Sequence, residues 1–153
     1  MSTINLSTKE EITAPIASIT EEAFDEIKPS QEELLAFYDT VFMREIPFTK
    51  KYKIGTKISV ELRTRTFEES EKVVLQESSN ENATGFSTVS NLNKGYLAFS
   101  LKSIDNKNFD SGTYEERLER INKMPLHKAL TLLDCLSAFD GLCEKCRQSH
   151  LNF

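Results

Sequence analysis

The sequence lacks the long apolar segments that place a chain in a membrane or mark it for export. No stretch approaches the ~20 consecutive apolar residues that cross a bilayer. The first residues, Met1–Leu6, have neither the basic start nor the apolar core of a secretory signal. We therefore expect a protein that is cytosolic when it is made and that has no membrane partner.

The chain also has few glycines and lacks the short motifs that carry common chemistries. Its five glycines form no phosphate-binding loop, and no G-x-S-x-G, H-E-x-x-H or calcium-loop pattern occurs. His127 is predicted in the first turn of the last helix, without the nearby carboxylate and nucleophile that a general base needs. We interpret it as a surface residue. The sequence predicts a non-enzymatic protein with no cofactor and no catalytic residues.

Only three cysteines are present: Cys135, Cys143 and Cys146. Cys143, Cys146 and His150 suggest a zinc site, but no second cysteine pair completes it, and the rise of a helix separates Cys143 from His150. A redox pair would need the N-terminal end of a helix, and a cytosolic location disfavours a structural disulfide. We interpret Cys143 and Cys146 as buried or partner-facing hydrophobic residues and predict no metal. The pattern assigns no role to Cys135.

The net charge of −5 is unevenly distributed. Residues 1–35 contain eight acidic residues and two lysines, and residues 1–28 have too few apolar residues for an independent core. We predict an acidic N-terminal arm over residues 1–28, followed by a single domain over residues 29–153. The arm is expected to dock on a partner or on another copy of the chain, and its candidate partner-binding residues are Glu21, Glu22, Asp25 and Glu26.

Three capping boxes predict the starts of helices. In this motif a Ser or Thr side chain and a Glu three residues later each bond the other's backbone N–H. The pairs are Ser30–Glu33, Thr66–Glu69 and Thr113–Glu116. Pro125 then opens a long C-terminal amphipathic helix. Its predicted packing stripe is Ala129, Leu132, Leu136, Phe139, Cys143, Cys146 and His150. A closely approaching partner at Gly141 would explain a glycine that costs ~1 kcal/mol relative to alanine.

Alternating apolar residues between the first two helices predict strands. Tyr52 and Ile54, then Ile58, Val60 and Leu62, alternate with polar residues around Gly55. This pattern indicates a hairpin with one buried face and one basic, solvated face. Residues 78–88 are predicted as a loop. The pattern over residues 86–94 is ambiguous, and a short helix is one interpretation of it. A third strand is predicted around 95–104. The fold class is α+β, with a small antiparallel hairpin sheet packed with three to four helices.

The hairpin region 48–65 carries a group of cations with aromatic residues among them. Three interpretations remain open: a solvated strand face that guards a sheet edge, a surface for an acidic protein partner, or a nucleic-acid surface on which Phe48 and Tyr52 stack bases. The candidate partner-binding cations are Lys50, Lys51, Lys53, Lys57, Arg63 and Arg65.

Over residues 35–153 the order of elements resembles the tail assembly chaperones and baseplate-assembly proteins of tailed bacteriophages. The resemblance rests on a strand that runs into a capped helix at 60–69, on the late helix opened at Met124-Pro125-Leu126, and on Phe139-Asp140-Gly141 leading to Asn152-Phe153. It implies a structural or assembly role through contacts with tail or baseplate proteins. It also implies a location in the host cytoplasm during assembly and, for a resident subunit, in the virion.

Overall fold

The fold is α+β, as predicted, with an antiparallel sheet and a long C-terminal helix. The computed structural model describes residues 21–79 and 85–150, apart from the side chains of residues 21–23 and 86–88. The helices are α1 (Glu21–Glu26), α2 (Gln31–Phe37), a π-helix (Tyr38–Met43), α3 (Phe67–Ser78), α4 (Gly85–Ser100), α5 (Tyr114–Asn122) and α6 (Leu126–Ser149). The strands are β1 (Thr49–Ile54), β2 (Ile58–Arg63), β3 (Leu101–Ile104) and β4 (Lys107–Asn108).

All three predicted capping boxes are present, at the starts of α2, α3 and α5. In the first of them, the backbone N–H of Glu33 donates to Ser30 Oγ at 3.1 Å, and the N–H of Ser30 donates to Glu33 Oε1 at 3.0 Å. A cap of this type contributes ~1 kcal/mol. Local chemistry therefore defines where these helices begin.

The Glu33 carboxylate gives the stability of α2 a pH dependence. Burial raises the pKa of Glu33, but the hydrogen bonds and charge of Lys50 together with the Ser30 backbone lower it more, and the net shift is downward. Because the pKa of Glu33 is lower in the folded protein than in the unfolded chain, its charge stabilises the fold. This contribution is fully present at pH values above the pKa of the unfolded chain. That stability is lost as the pH falls through the folded pKa.

We expect Glu33→Gln to lower the free energy of unfolding by about 1 kcal/mol at pH 7, because glutamine keeps the cap but loses the charge opposite Lys50. At a second, acidic pH below the folded-state pKa of Glu33, the difference from wild type should shrink, since the wild-type carboxylate is then protonated. Urea unfolding at the two pH values measures this. Glu32→Gln, in the same helical turn but exposed, should change little at either. An equal loss for Glu33→Gln at both pH values would contradict the account.

The sheet has the strand order β1-β2-β3-β4, with every neighbouring pair antiparallel. In β1 and β2, Tyr52 lies opposite Val60, and both side chains are buried with Leu62. The predicted hairpin with one apolar face is therefore confirmed. A second turn joins β3 to β4 at Asp105 and Asn106, both of which have positive φ (52° and 63°), as short hairpin turns require.

The predicted strand over 95–104 is wrong for its first half. Residues 95–100 end α4, and β3 starts only at Leu101. The alternation of Leu97 and Phe99 indicated a strand, but Ala98 and Ser100, the residues that follow each of them, are buried as well. A helix end enclosed on all sides shows no periodicity that distinguishes it from a strand. The predicted loop is also shortened, because α3 extends to Ser78 and α4 begins at Gly85; residues 80–84 lie outside the described residues.

Helix α6 follows Pro125, and its buried surface is wider than the predicted stripe. Leu132, Leu136, Phe139 and Cys146 are buried as predicted, and Ala129, Cys143 and His150 are half-buried. The additional buried side chains on this helix are Cys135, Ala138 and Leu142. The helix runs against α2 and α4, so neighbours cover more than one side of it. Helix α6 therefore packs against both α2 and α4, while α3 and α5 pack against α4.

Candidate protein-binding surface

The feature that stands out beyond the core is the junction of α2 with the π-helix. The chain leaves α-helical geometry at Tyr38, and the N–H of Arg44 donates to the carbonyl of Asp39, five residues earlier, at 3.0 Å. The Thr40 hydroxyl donates to the Ala36 carbonyl at 2.8 Å, a side-chain bond that bends helices. Because π-helical turns are rare and concentrate at functional sites, this segment marks a candidate site.

Aromatic rings hold the segment against the end of α6. Phe37 is buried and contacts Phe48 edge to face, with ring centroids 5.5 Å apart. The His150 ring lies among three others, 4.8 Å from Tyr38, 5.6 Å from Phe42 and 6.4 Å from Phe37. The predicted packing role of His150 is thus seen as ring contacts between α6 and the π-helix.

Five large apolar side chains on the outer side of this segment face solvent, and we call them the apolar surface. Their exposed fractions are 61% for Leu35, 41% for Tyr38, 47% for Phe42, 64% for Met43 and 42% for Ile46. They fall within twelve consecutive positions. Tyr38 and Phe42 touch, with centroids 5.8 Å apart. Exposed apolar side chains concentrated in one short segment are typical of a protein-binding site.

Sequence reasoning did not identify the apolar surface. It assigned helical spacing to the segment, but that spacing is equally compatible with burial. The sequence did carry one signal, which is more apolar residues in this segment than one helix face can hold. Leu34, Phe37 and Val41 turn toward the core, while Leu35, Tyr38 and Phe42 turn outward. A helix with apolar residues on both sides needs a second covering. Only the three-dimensional structure shows that residues 21–79 and 85–150 leave Leu35, Tyr38 and Phe42 exposed.

The six cations of the hairpin region do not form one free basic face. Lys50 pairs with Glu33, Arg63 pairs with Glu69 at 2.8 Å, and Arg65 pairs with Asp140 at 3.1 Å. Lys51 and Lys57 are exposed, and Lys53 is half-buried with a contact of its own. The expectation of a uniformly wet basic face is therefore corrected, since Lys50 lies on the buried side of β1, opposite Leu62.

The aromatic residues of that region are also unavailable to a ligand. Phe48 is buried against Phe37 and Phe139, and Tyr52 is buried among core side chains. Neither ring offers an open face for base stacking.

The described end of the acidic arm lies on its own domain. Phe24 lies under Lys145, whose Nζ is 4.5 Å from the ring centroid. A Cβ built at Gly141 would be 2.8 Å from Ile27 Cδ1 and 3.5 Å from Phe24 Cδ1. The close approach predicted at Gly141 therefore comes from within the chain. Asp25 and Glu26 are exposed, and the side chains of Glu21 and Glu22 lie outside the described residues.

The three thiols are held in their protonated forms. Burial raises the pKa of Cys135 and of Cys146 to about 11, and it raises the pKa of Cys143 further, with help from the Asp140 charge. Thiolates are the nucleophilic and metal-binding form of cysteine, and these environments oppose them. Residues 21–79 and 85–150 contain no group of three or more His, Cys, Asp or Glu positioned to hold a metal ion. His127 is exposed, as predicted.

Comparison with models of known protein families, with curated proteins and with solved structures found no match. Among the helices of the described segments, none is both long enough and apolar enough to cross a membrane.

Proposed function

We propose that this chain acts by binding another protein through the apolar surface, without catalysing a reaction. The observation that carries the proposal is the exposure of Leu35, Tyr38, Phe42, Met43 and Ile46 on one short segment. Aromatic residues and methionine are enriched at protein interfaces, and burying a large apolar side chain releases ~1.5–3 kcal/mol. A partner that covers these five side chains would gain several times that amount before the costs of association.

Two of the five side chains of the apolar surface are held by neighbours. The rings of Tyr38 and Phe42 contact each other and the His150 ring. Side chains held by neighbours lose little freedom when a partner binds, so more of the contact energy appears as affinity. Tyr38 and Phe42 therefore contribute preorganised contact area to the apolar surface.

We propose a tail or baseplate protein of a bacteriophage as the partner, and the host cytoplasm during assembly as the place of binding. The support is the resemblance over residues 35–153, a range that includes the apolar surface. The exposed carboxylates of Asp25 and Glu26 leave the arm able to contact a neighbour or a second copy of the chain. The alternative, nucleic-acid binding by the hairpin, has less support because Phe48 and Tyr52 are buried and three of the cations are paired.

The test compares two matched double variants of the full chain. Leu35→Gln with Met43→Gln removes two of the most exposed side chains of the apolar surface. Phe67→Gln with Leu75→Gln removes two side chains of similar or greater exposure on α3 (84% and 61%). Because all four side chains are exposed, the free energy of unfolding of both variants should lie within about 0.5 kcal/mol of the wild-type value.

We expect the first variant to capture at most one-tenth of the amount of partner that wild type captures, and the α3 variant to capture as much as wild type. Quantitative mass spectrometry of the proteins captured from infected or co-expressing cells measures these amounts. A tenfold loss corresponds to ~1.4 kcal/mol, less than the burial of two such side chains can supply. Equal capture by all three proteins, or loss only with the α3 variant, would contradict the proposal.

A further inference from the structure

A second candidate site lies at the other end of α6 from His150. The β3–β4 turn, the end of α5 and the first turn of α6 enclose an open cavity of about 500 Å³. Its open apolar floor is formed by Ile104 and Met124, which are half-buried, while Phe109 is buried beneath the Arg120 guanidinium. A cavity of this size accommodates one or two side chains of a ligand.

Positive charge collects around this cavity in a chain whose net charge is −5. Four cations line it (Lys107, Arg120, Lys123 and Lys128) together with one acidic residue, Asp105. The Asp105 carboxylate already accepts the backbone N–H of Ser59 at 2.9 Å. The cavity therefore carries an excess of positive charge, unlike the hairpin, where carboxylates neutralise Lys50, Arg63 and Arg65.

The partners of these cations leave their charge available to a ligand. Arg120 donates to the carbonyls of Phe109 and Ser111 at 2.7 and 2.6 Å, bonds that position the guanidinium without neutralising it. Lys123 pairs with Glu119, but both side chains are largely exposed, and such a pair is worth only ~0–1 kcal/mol. Lys107 and Lys128 form no ion pair with any residue of the described ranges.

We propose that this cavity binds an acidic peptide segment of a partner protein, with carboxylates on the lysines and one apolar side chain on the floor. Lysines are mobile point charges that suit carboxylates approaching from solvent. The apolar floor selects a segment that has leucine, isoleucine or phenylalanine beside its acidic residues. A nucleic acid fits less well, because the Arg120 guanidinium already covers the Phe109 ring at 4.9 Å and leaves no open aromatic face on which a base could stack.

The test uses the full-length chain labelled with ¹⁵N. The probe is a short synthetic peptide of alternating glutamate and leucine, and its glutamine counterpart is the control peptide. Inorganic phosphate and a single-stranded oligonucleotide are titrated separately. We expect the acidic peptide to shift the amide signals of Lys107, Phe109 and Lys128, with an affinity that falls as salt is added. The glutamine peptide should bind at least tenfold more weakly.

Two charge-reversal variants separate this site from general electrostatic attraction. Lys123→Glu with Lys128→Glu reverses two cations at the cavity. Lys51→Glu with Lys57→Glu reverses two exposed cations of the hairpin and changes the net charge equally. We expect at least a tenfold loss of peptide affinity with the first variant and less than twofold with the second.

Four results would overturn the inference. They are equal losses with both charge-reversal variants, equal binding of the glutamine peptide, no shifts at millimolar acidic peptide, and tighter binding of phosphate or the oligonucleotide at the same residues. The Leu35→Gln/Met43→Gln variant should bind the peptide like wild type, since the apolar surface adjoins the opposite end of α6. Failure of either proposal is therefore distinguishable from failure of the other.

Discussion

Replacing Phe139 with alanine is expected to lower the free energy of unfolding by about 3–5 kcal/mol. Phe139 is fully buried at the middle of α6 and stacks on Phe48, with ring centroids 6.1 Å apart and planes within 6°. Truncation would remove the ring from that stack and leave a cavity between α6 and the start of β1. Since domains of this size are stable by ~5–15 kcal/mol, the variant should lose a large fraction of its stability.

Urea unfolding followed by far-ultraviolet circular dichroism measures the Phe139→Ala effect. Phe67→Ala is the matched control, because the same truncation at a side chain that is 84% exposed should change stability by no more than about 0.5 kcal/mol. A loss below about 1 kcal/mol for Phe139→Ala would show that the Phe139 ring is not packed in the core as described.

Replacing Gly95 with valine is expected to lower the free energy of unfolding by about 3 kcal/mol through overpacking. A Cβ at this position would lie 2.6 Å from Tyr114 Oη and 2.6 Å from Val73 Cγ1. Tyr114 stacks on Phe99 with centroids 4.5 Å apart, so its ring has little room to withdraw. The glycine allows α3, α4 and α5 to meet, and a side chain there must displace the side chains of Tyr114 and Val73 or the helices that carry them.

Gly85→Val is the control for the valine substitution. It lies at the start of the same helix, where a Cβ meets nothing within 4 Å. Thermal unfolding of the two variants should therefore show a large decrease in midpoint for Gly95→Val and a small change for Gly85→Val. Comparable decreases would mean that valine harms α4 through helix propensity rather than through packing at Gly95.

The parts of the fold that depend on neighbouring residues were predictable from the sequence. The Ser30, Thr66 and Thr113 caps involve atoms three residues apart, so the pattern alone locates them. The β1–β2 hairpin and the turn at Asp105 are likewise local. The start of β3 was not predictable, because the burial of residues 97–100 depends on α3, α5 and α6, which lie far away in sequence.

The candidate sites depend still more on distant contacts. The charge of Arg65 was visible in the sequence, but its pairing with Asp140, 75 positions later, was not. Conversely, nothing in the sequence relates Lys107 to Lys128, and only the fold brings them to one cavity. The apolar surface was not predictable for the same reason. In the sequence Leu35 and Met43 resemble core residues, and only the fold shows that their side chains are exposed.

The central claim is that the apolar surface is where this chain contacts its partner. Its most direct test is the amount of partner captured by the Leu35→Gln/Met43→Gln variant relative to the Phe67→Gln/Leu75→Gln variant, with both proteins shown to be folded. We predict a ratio of one-tenth or less. A ratio near one would contradict the claim.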